Sequence, residues 1–489
     1  MTMAEYDLVI RGGTIGTATG VFEADVGVVG ETIAALGRNL GAGKREIDAK
    51  GKLVLPGGVD AHAHIEQLSG MGVMGADNFE SATGAAALGG TTTVVCFAAQ
   101  HKGKSLAKVV EDYHVLAKRG AIIDYAMHMI LADPNGTVLK EELPPLVKSG
   151  HSSIKLFMTY QHTKVDDEQL LDTLIAAREN HALVCVHAEN NGMISWMGRR
   201  LVERGYRDPR FHGPHHPRLC ESEAIYRLAA FSELVDQPVI VYHVSTAEGA
   251  KVIRDARGRG VKMFAETCTQ YLTLTVDDLV KPGLEGAKWV CSPPLRWKSD
   301  QEALWHALEI GDLQFVSSDH APYRFDDTGK LRAGPEPSFK EIANGMPGLE
   351  LRLPLLFDAM VSKGRYGVER FVEWTATAPA KMYGLSQRKG QITIGADADI
   401  CIWDPKRRTT ISDAGVHDNT GYTPYAGRTI EGWPVTVLRR GQLIADDGKL
   451  KGSAGSGAFL PRQAGEVAKP TGRLSPEFDE ARNFGAKLY

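Results

Sequence analysis

Six side chains in this 489-residue sequence carry the chemistry of a metal site. His62 and His64 alternate in the run GGVDAHAH. In an extended strand residues i and i+2 point to one face, so a single ion can take both imidazoles. Lys155 lies in SSIKLFM, His187 in ALVCVHAE, His243 in PVIVYHVS and Asp319 in LQFVSSDH, each toward the C-terminal end of an apolar run. Each has an ordinary reading by itself. An H-x-H pair arises by chance in a chain with 16 histidines, a lone histidine sits on a surface or in a satisfied core, and Asp319 caps a turn. Lys155 is the unusual one, because burying an ammonium costs on the order of several kcal/mol unless it is paired or neutralised. Two fates are open to it. Its head reaches solvent at the end of an apolar stem, or carbon dioxide has converted the amine to a carbamate, an anion whose two oxygens can bridge two metal ions.

The elements that must bring these residues together are legible as a pattern. Eight β-like runs, GGVDAHAH, TTTVVCFAA, DYAMHMIL, SSIKLFM, ALVCVHAE, PVIVYHVS, KMFAETC and LQFVSSDH, alternate with helical stretches such as SLAKVVEDYHVLAKRG and DEQLLDTLIAARENH. That alternation predicts a parallel (β/α)8 TIM-like barrel over residues 57–389. Active sites of such barrels lie at the C-terminal ends of the strands, where all six candidates fall. The β-rich, glycine-broken segments at both ends, YDLVIRGGTI, FEADVGVVGETIAALG and KLVLPGG, then QITIGADADICIWDP and WPVTVLRRGQLIADDGKL, predict one small β-sandwich domain from residues 1–56 and 390–451. Residues 452–489, rich in Gly, Pro and Ser, read as an extended tail that packs on a neighbour or stays mobile, a possible oligomer contact.

Composition narrows the class. Hydrophobic residues make up 43% and charged residues 24%, which excludes a disordered or fibrous chain. The net charge of -4 leaves no basic excess for nucleic acid phosphates or an anionic membrane, so neither is an expected partner. There is no run of about 20 apolar residues to span a bilayer. The six cysteines form no C-x-x-C pair and are scattered, which suits free thiols in a reducing compartment. The opening MTMAEYDLVIRGG has no basic region followed by an apolar one. The expectation is a cytoplasmic enzyme.

The segments LPGGVDAHAH, LGGTTTVVCF, SIKLFMTY, CVHAENNGMI, YHVSTAEGA, CSPPLR, SSDHAPY and ANGMPGLELRLPLL resemble the amidohydrolase superfamily, and within it the cyclic amidases, hydantoinase and dihydropyrimidinase. The terminal pieces YDLVIRGG and KGQITIGADADICIWDP resemble the same family's small β-domain. The resemblance implies two divalent metal ions per chain, zinc by the family's habit. His62 and His64 would hold the more buried ion, carboxylated Lys155 would bridge both, and His187 and His243 would hold the second. Asp319 would bind the first ion and shuttle a proton. Tyr160, in LFMTY, would donate to the developing oxyanion, and Ser292 and Asn344 would hold the ring amide through their main chains. From the residues alone these three read as a core tyrosine, a turn serine and a loop asparagine.

The implied reaction is opening of a cyclic amide, a hydantoin or dihydropyrimidine, to an N-carbamoyl amino acid by a hydroxide shared between the ions. Allantoin or a cyclic imide is the alternative substrate on the same site. A non-catalytic oligomeric scaffold is the distant alternative, disfavoured because all six ligands are present. A homotetramer, or a homodimer, is the implied assembly. The chain departs from the usual pattern in places. Ala61 and Ala63 flank His62, leaving the ligands intact. The loop Glu66–Gly75, rich in Gly and Met, suggests an adaptable, mainly apolar wall for the ring substituent. Glu66 stands where a dihydroorotase has an arginine, and is expected to repel a substrate carboxylate. The segment Phe211–Arg218, with His212, His215 and His216, reads as a surface loop or as an extra metal or substrate contact.

Overall fold

The computed structural model describes residues 5–488. Its centre is an eight-stranded parallel sheet. In chain order the strands are β1 (Gly58–Ala63), β2 (Thr91–Ala99), β3 (Asp124–Ile130), β4 (Ser153–Phe157), β5 (Leu183–His187), β6 (Val239–Val241), β7 (Met263–Cys268) and β8 (Phe315–Ser317). All eight predicted runs are strands, and each pairs with its neighbour in sequence. The ring is closed by a parallel bridge between Ala63 and His320 and by the His64 N–H donating to the His320 carbonyl at 2.7 Å. The fold is a (β/α)8 barrel.

These segments become strands because they are covered on both faces. Every residue of β2 is buried, and after three threonines Val, Cys, Phe and Ala supply an unbroken apolar run with no polar alternation. The helices between them start on short polar side chains. Asn78 and Ser81 form a reciprocal capping box, as do Asp166 and Gln169, while Ser105 and Thr246 each accept one backbone N–H.

Both ends of the chain build a second, mixed sheet of nine strands. Tyr6–Thr17 sits near its middle, antiparallel to Gly20–Val29 and parallel to Gly43–Asp48 and Leu53–Pro56. Ile400–Thr410 joins antiparallel to Leu53–Pro56 and brings in the C-terminal strands Thr429–Arg439, Gln442–Asp446 and Lys449–Leu450. Its own core includes Leu8, Ile10, Val26, Ile33, Ile400 and Leu438. A buried charge cluster ties it to the barrel. The Lys389 ammonium lies 2.6 Å from Asp124, at the start of β3, and 2.8 Å from Asp399. Each carboxylate would be costly to bury alone, and together they offset the ammonium.

The structure departs from the sequence expectation at four places. Gly43–Asp48 is a strand, although GKREID is mostly charged; it lies at an edge with exposed side chains. Residues 391–399 are irregular, with a turn at 394–395 and one bridge from Asp397 to Thr32, so the strand starts only at Ile400. A helix, Asn191–Glu203, follows β5, where only Ile194 and Gly198 are buried. The tail does not hang free up to residue 468. Phe459 bridges to Tyr125 and Leu460 is buried. Arg462, 3% exposed, donates to the Met127 carbonyl at 2.6 Å and the Ser153 hydroxyl at 2.7 Å, under the N-terminal ends of β3 and β4.

Candidate active site

The barrel brings all nine candidate residues to one cavity of about 480 Å³ at the C-terminal ends of the strands. His62 is on β1 and His64 follows it by two residues, so both point inward. Asp319, just past β8, places Oδ1 3.0 Å from His62 Nε2 and 3.4 Å from His64 Nε2. His187 ends β5 and His243 follows β6; their ring centroids are 4.3 Å apart, edge to face. His243 and Asp319 both adopt positive φ, 42° and 48°, a conformation uncommon for non-glycine residues that turns each side chain toward the cavity mouth. Burial pushes the Asp319 carboxyl up, but the adjacent His62 and His64 imidazoles overcome this and hold it well below the usual carboxylate range. Burial keeps His187 and His243 below the ordinary imidazole pKa, in the neutral form that ligates metal.

Lys155 is wholly buried and its ammonium makes no hydrogen bond among the described residues. It lies among rings, with Nζ 4.0 Å from the Tyr242 centroid and 4.9 Å from that of Phe157. The solvent-reaching fate is therefore excluded. Burial pulls its pKa down to about 8, against the nearby Asp319 and Glu266 charges.

Several residues that the sequence reading did not single out hold three of the six, His62, His64 and His187, in place. Glu266, on β7, accepts from His62 Nδ1 and, at 2.6 Å, from the Ser317 hydroxyl. This fixes the His62 tautomer and leaves Nε2 bare toward the cavity. Gln67 does the same for His64 through Nδ1 at 2.8 Å, and Glu189 for His187 through Nε2 at 2.7 Å. The only sequence signal for Glu266 was a carboxylate inside the apolar run KMFAETC, where burial demands a partner. We expect Glu266→Gln to weaken metal retention about 10–100-fold, measured as the free-metal concentration at half occupancy.

Tyr160, Ser292 and Asn344 face one another across the cavity, close enough for the tyrosine hydroxyl to hydrogen-bond both other side chains. Tyr160 has φ 71°, and burial raises its phenol far above the usual range, so it stays a donor. The Lys330 ammonium, fully buried, donates to the carbonyls of Val290, Ala343 and Gly345, and so clamps the two segments that carry Ser292 and Asn344. Gly345, at φ 153°, lies so close to the Ala321 carbonyl that a Cβ there would collide with it.

Two expectations about the cavity wall are corrected. Glu66 does not face the cavity. One oxygen pairs with Arg119 at 2.7 Å, and the other accepts the Phe79 N–H at the start of the next helix. The repulsion expected of Glu66 therefore has no structural basis, and Gln67 is the residue that lines the wall. The histidine-rich segment is no surface loop. His212, His215 and His216 are 1%, 7% and 2% exposed, and the last two line the cavity.

The donor set fits a pair of divalent ions. His62 Nε2, Lys155 Nζ and His243 Nδ1 are buried polar atoms with no hydrogen-bond partner among the described residues. Such atoms are rare unless another group satisfies them. His62, His64 and Asp319 converge closely enough to share one ion.

The amidohydrolase family model matches residues 53–444. A D-hydantoinase from Ralstonia pickettii is 41% identical over 94% of this chain and 99% of its own length. One from Geobacillus stearothermophilus is 42% identical over 93% and 96%. The crystal structure of a dihydropyrimidinase from Brevibacillus agri superposes with a TM-score of 0.90 at 41% identity, covering 93% of this chain and 98% of that one. The chain thus belongs to the amidohydrolase family of hydrolases. Its place within that family is the hydantoinase–dihydropyrimidinase group of cyclic amidases.

Proposed function

We propose that this enzyme opens the ring of 5-substituted hydantoins or dihydropyrimidines to N-carbamoyl amino acids, using two divalent ions, zinc by the donor set. His62 and His64 would hold the first ion with Asp319, His187 and His243 would hold the second, and Lys155, as a carbamate, would supply a further anionic ligand. The observation that carries this reading is the set of three buried donors without partners, His62 Nε2, Lys155 Nζ and His243 Nδ1, around one cavity. Burial lowers the Lys155 pKa to about 8, which favours the neutral amine that can attack carbon dioxide. The D-hydantoinase relatives favour the D isomer of a substituted hydantoin.

When bound, the ions supply Lewis acidity and lower the pKa of water. The chain's own residues do the rest. Ser292 and Asn344, braced by Lys330, hold the ring amide flat against the metal-facing side. The Tyr160 hydroxyl donates to the carbonyl oxygen as it gains negative charge. Asp319 accepts the proton of the attacking water and returns it to the leaving ring nitrogen. Removing the Tyr160 donor as Tyr160→Phe lowers kcat about 100–1000-fold with little change in KM, read from steady-state kinetics.

The decisive experiment is a panel of hydantoin, D- and L-phenylhydantoin, dihydrouracil, allantoin and succinimide, with ring opening followed by absorbance. The highest kcat/KM is expected on D-phenylhydantoin or dihydrouracil, abolished by a chelator and restored by zinc. A preference for allantoin or succinimide, or chelator-resistant turnover, refutes the reading. We propose a homotetramer, or a homodimer, as the assembly. Trp196, Leu219 and Tyr226 are exposed on the helices Asn191–Glu203 and Arg218–Val235 and offer apolar area for it.

A further inference from the structure

We infer that His212, His215 and His216 form a third metal site, beside the catalytic cavity and separate from its ion pair. One ring nitrogen from each of the three lies within 4.8 Å of those of the other two. The local sequence produces this convergence. His212 and His215 are one turn apart on the short helix His212–His215, and His216 follows as the chain leaves it. Gly198, on the facing helix, makes the room: a Cβ there would collide with the His215 ring.

The hydrogen bonds prepare the rings for an ion. His212 donates through Nε2 to the Cys291 carbonyl at 2.7 Å, which leaves its Nδ1 with the lone pair. That Nδ1 is buried and has no partner among the described residues, and the same is true of His215 Nδ1. His216 donates through Nδ1 to Glu189 at 2.8 Å, leaving Nε2 as its free donor atom. Two tautomers set by fixed acceptors and two orphaned nitrogens are what a ligand set shows, not what a packed core of imidazoles requires. Three nitrogen donors with no carboxylate among them select a borderline transition ion, such as zinc, cobalt or nickel, over magnesium or calcium. Because His215 and His216 line the cavity, the remaining coordination position opens to it. Glu189 also accepts from His187, so one carboxylate orients a ligand of each centre.

The test is a cobalt titration of the metal-depleted full-length enzyme, with bound metal counted after removal of loose ions. Three equivalents per chain are expected for the unsubstituted enzyme and two for His215→Gln, with a dissociation constant for the third ion weakened at least about 100-fold. The variant His62→Asn/His64→Asn/His187→Asn/His243→Asn, which lacks every catalytic imidazole, is expected to keep the third ion. X-ray absorption on that variant should report imidazole around cobalt, a readout independent of whether His215→Gln folds. No loss of an equivalent on His215→Gln, or purely oxygen ligation in the second variant, overturns the site. Both results leave the catalytic pair, read from the chelator response, untouched.

Discussion

Lys155→Ala lowers kcat for ring opening at least about a thousandfold and costs at least one of the two catalytic ions. Lys155 Nζ is buried among aromatic faces with nothing to hydrogen-bond, so the truncation removes no structural contact beyond packing. On the proposed reading it also removes the carbamate that would link the His62–His64–Asp319 side to the His187–His243 side of the cavity. Four neutral imidazoles and one carboxylate then face two dications, and the charge imbalance expels an ion. Formate, acetate or propionate should refill part of the vacated space with a carboxylate and restore a measurable fraction of the rate. Activity and metal content are read together after exhaustive dialysis. Unimpaired turnover in enzyme freed of small acids is the result that would end the carbamate account.

The second large effect is at Asp319. Asp319→Asn keeps the shape and one ligating oxygen but cannot carry a proton, so kcat falls about 10²–10⁴-fold. The loss depends on the leaving group. A dihydropyrimidine, which departs as a ureido nitrogen, suffers more than an imide, which departs as the more acidic carboxamide nitrogen. Equal losses on dihydrouracil and succinimide would assign Asp319 a role in binding metal and none in moving the proton. Because the neighbouring imidazoles hold this carboxyl well below its ordinary range, it is ionised through the neutral region.

The barrel was legible because its strands are covered on both faces. Runs such as TTTVVCFAA announce burial without any need to know their neighbours. The ligands were legible because strand ends are where such a fold keeps its chemistry, and a basic or carboxylate side chain at the end of an apolar run is conspicuous. What escaped were residues whose purpose exists only across the ring. Glu266 is 204 residues from His62, and nothing local says that the two touch. Lys330 lies in a polar loop stretch and gives no hint that three carbonyls await it. Glu66 misled for the opposite reason: its position after H-x-H suggested a cavity residue, but Arg119 and a helix start draw it aside. Gly43–Asp48 escaped because an edge strand with outward side chains has no apolar period to reveal it.

The strap formed by Phe459, Leu460 and Arg462 has a consequence for how the molecule comes into being. Arg462 reaches Met127 across 335 residues of intervening sequence. On a ribosome, β3 and β4 are made long before the segment that seals their lower ends, and loop closure over such a span is slow. The lower ends of β3 and β4 therefore stay unsealed until the segment around Arg462 has been made and has docked.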